Sequence, residues 1–307
     1  MSAVIRGVAS AVGIPTVITE LPEDAVSPDV ARQLVDRGQR LCPVADDEIP
    51  LVTESVGASL AASGLAPDEV RHILVTTETM TVSGSRAAHE QARGRLYKAC
   101  ADLGLGHAPV TALTFGGCGA VLSAIDYAAL MVERDSTGGI LVVAVGRMRD
   151  GDSRELAPAV SAIGDGVASC VVTSGGGGWT LRWLLRRAFL ETAKFDHSTD
   201  FGPTLVTLGR ALRSMRNEAK ERGLPQQPRL VCNNYGLPTI RLFGSALSIA
   251  MDDVFVDNIP MLSHLGTPDL LINLASLPSS SREVLALATG PADCALALLE
   301  RTSCDTA

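Results

Sequence analysis

One of the seven cysteines lies in a context that could activate its thiol. Cys118 lies in the segment TFGGCGAVLSAIDY, where glycines flank it between a strand-like run and a long apolar run. This spacing predicts a thiol at a helix N-terminus, where unpaired amides and the helix dipole favour a thiolate. The flanking glycines would let an acyl carbonyl approach backbone donors closely. The segment therefore indicates a nucleophile for acyl transfer; the alternative interpretation is a buried structural cysteine.

The elements that must position this thiol alternate between β-rich runs and amphipathic helices. Predicted helices cover 46–64, 85–104, 203–222, 239–251 and 267–277, with a buried helix after Cys118; predicted strands cover 72–77, 110–115, 140–145, 167–173, 179–189, 229–232, 254–256, 284–289 and 293–299. Such alternation predicts an α/β protein whose sheets are covered by helices. The Gly-rich stretch 174–178 separates two halves of similar order, which predicts a first domain over 1–175 and a second over 176–307.

Composition excludes several classes of function. The net charge is −8 and the isoelectric point is near 5.2, so neither a nucleic-acid partner nor an anionic membrane surface is indicated. No apolar run approaches the roughly 18 residues that a membrane span needs. The scattered cysteines never adopt CxxC spacing, which argues against a disulfide framework and a zinc site and favours a reducing cytoplasmic location. No GxGxxG follows a first strand, so no nicotinamide or flavin cofactor is expected.

The order of motifs resembles the thiolase superfamily, in its ketoacyl synthase III and hydroxymethylglutaryl-CoA synthase branch. The Cys118 segment matches the nucleophile elbow of that family, and AIGDGVASCVVTS (162–174) resembles its F-G-D-G-A-G-A strand. LVCNNYG (230–236) falls at the P-H-Q-A-N motif, and HLGTPDLLINL (264–274) falls at G-N-T-S-A-A-S. The resemblance implies a five-layer αβαβα sandwich of two similar halves, normally a homodimer. It also implies acyl-CoA or phosphopantetheine-linked acyl carrier protein as substrate, with no bound cofactor or metal.

The predicted catalytic set departs from that family. Ketoacyl synthase III enzymes use Cys, His and Asn, with His and Asn together stabilising the oxyanion of a decarboxylative condensation. Here Asn233 falls at the His position, and His264, or Ser263 after a one-residue shift, falls at the Asn position. The order of Asn233 and His264 is similar to that of the thiolases. The resemblance implies that His264 is the base for Cys118, while Asn233 donates to an oxyanion or orients water. Amides near Cys118 and around Gly290 would complete the oxyanion site. The alternative for Asn233 is a polar loop residue, and the alternative for His264 is a structural or exposed histidine.

A glutamate adds a fourth candidate. The segment TTETM (76–80) resembles the G-T-E-T or G-T-E-S segment of hydroxymethylglutaryl-CoA synthases, whose Glu is the general acid and base. Glu78 precedes Cys118 by 40 residues, with a helix and a strand predicted between them. An apolar pocket would raise the pKa of Glu78 and allow it to shuttle a proton. The alternative is a solvated glutamate at a strand end.

Recognition of the acyl donor is also altered. Ketoacyl synthase III enzymes hold the nucleotide of coenzyme A with a W-I-x-x-R-T-G-I segment, but ARQLVDRGQRLCPV (31–44) lacks the Trp. The missing Trp therefore favours an acyl donor that is bound to a carrier protein rather than to coenzyme A. Arg241 and the cluster Arg182, Arg186 and Arg187 could meet an acidic carrier protein or a phosphate; solvated charges are the alternative.

Three functions follow from these motifs. The first is a ketoacyl synthase III-like enzyme that forms a Cys118 acyl-enzyme and condenses or transfers the acyl group in specialised, polyketide-like or fatty-acid-like biosynthesis. The second is an acyltransferase that forms an ester or amide without a carbon–carbon bond. The third is a non-catalytic partner subunit of a heteromeric ketosynthase. The nature of the acyl chain and of the acceptor stays open at this point.

Overall fold

The computed structural model describes residues 3–78, 86–149, 151–156, 159–195 and 201–302. The helices are α1 (Pro28–Asp36), α2 (Glu48–Ser63), α3 (Arg86–Asp102), α4 (Ala120–Arg134), α5 (Phe201–Glu221), α6 (Leu237–Leu247), α7 (Ile259–Leu262) and α8 (Asp269–Ser276). The strands are β1 (Val4–Val12), β2 (Ile14–Val17), β3 (Leu41–Val44), β4 (Val70–Thr77), β5 (Val110–Leu113), β6 (Gly139–Gly146), β7 (Glu155–Leu156), β8 (Ser161–Ala162), β9 (Gly166–Thr173), β10 (Gly178–Ala188), β11 (Arg229–Val231), β12 (Glu283–Thr289) and β13 (Asp293–Thr302). Within these ranges no helix combines the length and apolar content that crossing a membrane requires.

A nine-stranded sheet carries the fold, in the order β11-β12-β13-β10-β1-β9-β6-β4-β5. The first half of the chain contributes five strands to this sheet. From the edge inward they are β5, β4, β6, β9 and β1, which are the third, second, fourth, fifth and first of these five along the chain. The second half repeats this order with β11, β12, β13 and β10 as its second, fourth, fifth and first strands. The place of its third strand is taken by Val254, which forms a parallel bridge to Leu230 of β11. Antiparallel pairing of β1 with β10 joins the two halves. The connection between β9 and β10 contains the predicted division at 175/176, which itself stays a prediction.

Helices cover this sheet in layers. The largest apolar cluster contains residues of α4 and α8 together with strand residues from both halves of the chain. These two helices therefore lie between the strands of the first half and those of the second. A second cluster packs α2 and α3 on the outer side of β4, β6 and β9. A third packs α5 and α6 on the outer side of the strands β10 to β13. Burial of apolar side chains at every interface stabilises a helix–strand–helix–strand–helix arrangement, as the sequence predicts.

The predicted elements agree with the structure where capping or burial is strong. Asp47 accepts a hydrogen bond from the Ile49 amide and Gly64 has φ of 70°, so α2 begins and ends close to its predicted bounds. The strand predicted over 254–256 is wrong, because only Val254 forms a bridge there. The β2–β3 pair went unpredicted, because β2 is mostly exposed and carries no apolar alternation.

Candidate active site

Cys118 lies at the start of the buried helix α4. Residues Gly117–Gly119 form a single tight turn that runs directly into that helix. Gly117 has φ of 53°, and a side chain there would place Cβ only 2.4 Å from Cδ of Pro291. The glycine therefore allows the nucleophile turn to pack against the 290–291 loop. Cys118 itself is buried, with 6% of its surface exposed.

His264 faces the thiol from the other half of the chain. Its Nε2 lies 3.1 Å from Sγ of Cys118, across a separation of 146 residues. The His264 amide donates to the Ala162 carbonyl, and the His264 carbonyl accepts from the Gly164 amide. Ser263 precedes it with φ of 51°, a conformation that side chains rarely adopt. The histidine backbone is thus fixed by the segment between β8 and β9 that the sequence motif marks.

Asp269 completes a relay that sequence reasoning missed. Its Oδ2 lies 2.5 Å from Nδ1 of His264. The same carboxylate accepts from the amides of Leu265 and Asn234, each at 2.8 Å. Because a carboxylate only accepts, Nδ1 of His264 carries the hydrogen and Nε2 is left to accept the proton of Cys118. Cys118, His264 and Asp269 therefore have the arrangement of a nucleophile, a base and a group that orients the base.

The surroundings of Cys118 disfavour its thiolate form. Burial raises the pKa of Cys118 well above its usual value, and the negative charges of Glu78 and Asp269 raise it further. A hydrogen bond from Tyr235 acts in the opposite direction. Burial therefore opposes the thiolate that the position at the helix start favours. Attack by Cys118 needs a base that removes the proton, and His264 is placed to do so.

Glu78 lies on the side of the thiol that remains open. Its Oε1 is 3.9 Å from Sγ of Cys118. Glu78 keeps exposed surface, yet the surrounding protein partly desolvates the carboxyl group and raises the pKa of Glu78, while His264 lowers it. This direction agrees with the sequence prediction, and the acid–base role remains a prediction. Residues 79 and 80 of its motif lie outside the described residues.

Asn233 lies close to the site but not on its surface. The side chain is 1% exposed, and its Oδ1 accepts from the Thr289 amide at 2.9 Å. Its Nδ2 finds no hydrogen-bond partner among the described residues. Asn233 does not line the cavity that exposes Cys118. Direct donation to an oxyanion, as the sequence predicts for Asn233, therefore stays a prediction.

The 290–291 loop offers less than the sequence implies. The Gly290 amide already donates to the Asp293 carbonyl at 2.8 Å, and Pro291 has no N–H. A carbonyl oxygen bound beside Cys118 thus finds no uncommitted amide at these two positions.

A cavity of about 290 Å³ opens onto the thiol. Cys118, Glu78 and His264 line this cavity together with Tyr235, which sequence reasoning also left unassigned. The rest of the wall is largely apolar, formed by Leu156, Val160, Ile163, Leu205, Leu208, Phe243 and Pro291. The shape suits an apolar acyl chain whose carbonyl group lies against Cys118.

The predicted arginine cluster is largely engaged with acids of this chain. Arg187 pairs with Glu218, and Arg182 lies 3.5 Å from Glu300. Arg241 is exposed on α6, the helix that also contributes Thr239 and Phe243 to the cavity. Docking of a carrier protein at Arg241 stays a prediction.

No protein-family model matches the chain, and no curated protein is significantly similar to it in sequence. Solved structures do match over nearly the whole length. The acyltransferase ChlB3 superposes with a TM-score of 0.81 at 18% identity, covering 99% of this chain and 98% of that chain. The 3-oxoacyl-[acyl-carrier-protein] synthase III of Aquifex aeolicus superposes with a TM-score of 0.78 at 16% identity, covering 97% and 99%. The tetronic acid condensing enzyme AbyA1 gives 0.75 at 17% identity, covering 97% and 100%.

The chain has the thiolase fold. The predicted α/β layers and the repeated strand order are those of this fold. At such low identities the likeness establishes the architecture, and the chemistry has to be argued from the side chains themselves. On the thiolase fold of this chain, Cys118 belongs to the first half and the His264–Asp269 pair to the second.

Proposed function

We propose that this chain is an acyl-transferring enzyme that carries its acyl group on Cys118. The observation that carries the proposal is the continuous contact from Cys118 through His264 to Asp269. A non-catalytic partner subunit would have no use for a nucleophile with an oriented base beside it. The ketoacyl synthase III-like alternatives, transfer and condensation, share this first half-reaction.

The first half-reaction loads the enzyme. His264 Nε2 removes the thiol proton as Sγ of Cys118 attacks the carbonyl carbon of an acyl thioester. Asp269 holds the imidazolium that forms. When the tetrahedral intermediate collapses, the carbonyl re-forms and the donor thiolate leaves with the proton from His264. The acyl group then occupies the apolar cavity as a Cys118 thioester.

The second half-reaction releases the acyl group. His264, neutral again, removes the proton of a hydroxyl or amine that attacks the Cys118 thioester, and returns a proton to the departing thiol. A base held by a carboxylate suits an acceptor that must lose a proton, so an ester or amide product is favoured. Decarboxylative condensation needs neutral donors on a thioester oxygen instead. Condensation is the second candidate, and the unpartnered Nδ2 of Asn233 is the observation that favours it.

The donor is proposed to be acyl-CoA or an acyl carrier protein, in specialised biosynthesis. The names of the matching structures, an acyl-carrier-protein synthase and a tetronic acid condensing enzyme, support this proposal. A homodimer is proposed as well, because β5 is the edge strand of the sheet and Phe115 beside it is fully exposed. The free, buried cysteines of the described ranges support a reducing, cytoplasmic location.

Intact-mass spectrometry tests the function. The protein is incubated with a panel of acyl-CoA and acyl-carrier-protein thioesters, in parallel with Cys118→Ala, and each adduct is chased with a hydroxyl, an amine or a malonyl thioester. We expect a mass gain confined to the wild type and removed by a hydroxyl or amine. Release only by the malonyl thioester, with loss of CO2, would establish condensation. No adduct with any donor would reject the acyl-enzyme.

A further inference from the structure

The proposed reaction places a negative charge on the thioester carbonyl oxygen, at a place where few backbone amides are free to donate a hydrogen bond. Attack on a thioester moves an electron pair onto the carbonyl oxygen, and a fixed donor for this oxyanion is worth about 10²- to 10³-fold in rate. The Gly290 amide is committed to the Asp293 carbonyl, and Pro291 has no N–H. Amides at the start of α4 can serve one side of the oxygen. Another donor is needed on the cavity side.

Tyr235 is the side chain in that position. It lines the same cavity as Cys118 and His264 and is 9% exposed. Its ring lies 4.6 Å from the His264 ring, centroid to centroid, and 6.0 Å from the Phe243 ring at an edge-to-face angle. The two ring contacts fix the direction of the phenol group. Its hydroxyl group acts on the Cys118 thiol in the direction that lowers the pKa of Cys118.

The phenol proton is available for a ligand. The Tyr235 hydroxyl lies 3.5 Å from the Thr289 carbonyl, which is a weak hydrogen bond. The Thr289 hydroxyl lies 3.3 Å from the Tyr235 oxygen and 3.4 Å from Oδ1 of Asn233, and it can donate to either of them. A donor to the phenol oxygen polarises its O–H and strengthens the bond that this O–H makes. Burial meanwhile raises the pKa of Tyr235 well above its usual value, so the group keeps its proton.

Asn233 acts on the same group through Thr289. Its Oδ1 accepts from the Thr289 amide at 2.9 Å, which fixes the residue that holds the Tyr235 oxygen. This chain of contacts explains how Asn233 can matter to the reaction without lining the cavity.

We propose that the Tyr235 hydroxyl donates a hydrogen bond to the oxyanion that forms when Cys118 attacks an acyl thioester, with Thr289 and Asn233 as positioning residues. The role rests on the proposed acyl transfer. The Sγ–C bond forms as the carbonyl π pair moves to oxygen; Tyr235 stabilises that oxygen without giving up its proton. The pair then returns as the donor thiolate leaves. Alkylation of the same thiol by iodoacetamide passes through no oxyanion.

This difference gives the test. Tyr235→Phe keeps the ring contacts and removes only the hydroxyl group. At one pH, the rate of single-turnover acylation is divided by the rate of iodoacetamide alkylation, because both reactions need the same Cys118 thiolate. We expect the ratio to fall about 10²-fold for Tyr235→Phe and by a smaller factor for Thr289→Val. Tyr127→Phe removes an exposed phenol from α4 and should leave the ratio unchanged.

The outcomes separate the two levels of the argument. Equal losses of acylation and alkylation in Tyr235→Phe would mean that the hydroxyl only tunes the thiol, which overturns the oxyanion role. Unchanged rates of both reactions would overturn it as well. Wild type without any acyl adduct would instead reject the acyl-transfer function on which this role depends. Thermal denaturation of each variant checks that the fold is retained.

Discussion

The two sides of Cys118 are built differently. On one side, His264 and Asp269 are buried, and the Asp269 carboxylate has hydrogen-bond partners at both oxygens. On the other side, Glu78 keeps exposed surface and reaches the thiol only at 3.9 Å. The buried side is preorganised, since moving one group would leave buried polar atoms unpaired. The open side leaves room for an acceptor.

This difference separates two tasks. In the proposed acyl transfer, activation of a thiol whose pKa is raised by burial needs a base in fixed geometry, and the buried side would supply it. Entry and exit of two substrates need space and water, and the open side provides them. Substitutions on the buried side should therefore lower the rate of the chemical step steeply, whereas those on the open side should tune the thiol by smaller amounts.

The largest effect is expected from the base. His264→Ala removes the proton acceptor of a buried thiol, so the rate of Cys118 acylation should fall by roughly 10⁴-fold. The measurement is single-turnover acylation by rapid quench and intact mass. His107→Ala, an exposed histidine on the same chain, is the matched control and should acylate normally. Acylation of His264→Ala at the wild-type rate would show that another group takes the proton.

A smaller loss is expected from the group that orients the base. Asp269→Asn keeps the size of the side chain but can turn an N–H toward Nδ1 of His264, which favours the wrong tautomer. Acylation should slow by a smaller factor than in His264→Ala, with a loss in kcat rather than in KM. Asp252→Asn, an exposed acid of the same half, is the control. Equal activity in both variants would remove Asp269 from the relay.

Local patterns in the sequence predicted the first half of this site well. The nucleophile, its glycines and its helix are adjacent along the chain, so spacing alone places Cys118 at the start of α4. Contact between Cys118 and His264 joins residues 146 positions apart. No local period encodes such a contact, and the prediction came from the order of motifs.

The residues that sequence reasoning missed share a physical reason. Asp269 lies five residues after His264, where an acid also serves as an ordinary helix start. Its role appears only because Gly266, with φ of 79°, turns the chain back toward the imidazole. Tyr235 follows the two asparagines, and a buried aromatic residue there is ordinary core. Only the folded loop places Tyr235 in the cavity that also exposes Cys118.

The smallest predicted effect is on the open side and concerns pH. The pKa of Glu78 is raised by desolvation, and above that pKa its negative charge is one of the causes that raise the pKa of Cys118. Glu78→Gln removes the charge, so the pH profile of iodoacetamide alkylation should move to lower pH. Tyr235→Phe should move the same profile to higher pH, because a hydrogen bond that lowers the pKa is lost. Below the pKa of Glu78 the wild type and Glu78→Gln should coincide.

Glu54→Gln, an exposed acid on α2, is the matched control and should keep the wild-type profile. A profile of Glu78→Gln that coincides with wild type at every pH would mean that water screens the carboxylate from the thiol. A shift to higher pH would mean instead that Glu78 helps to remove the Cys118 proton. In that case the two sides of the nucleophile would share one task, and the open side could no longer be assigned to the acceptor alone.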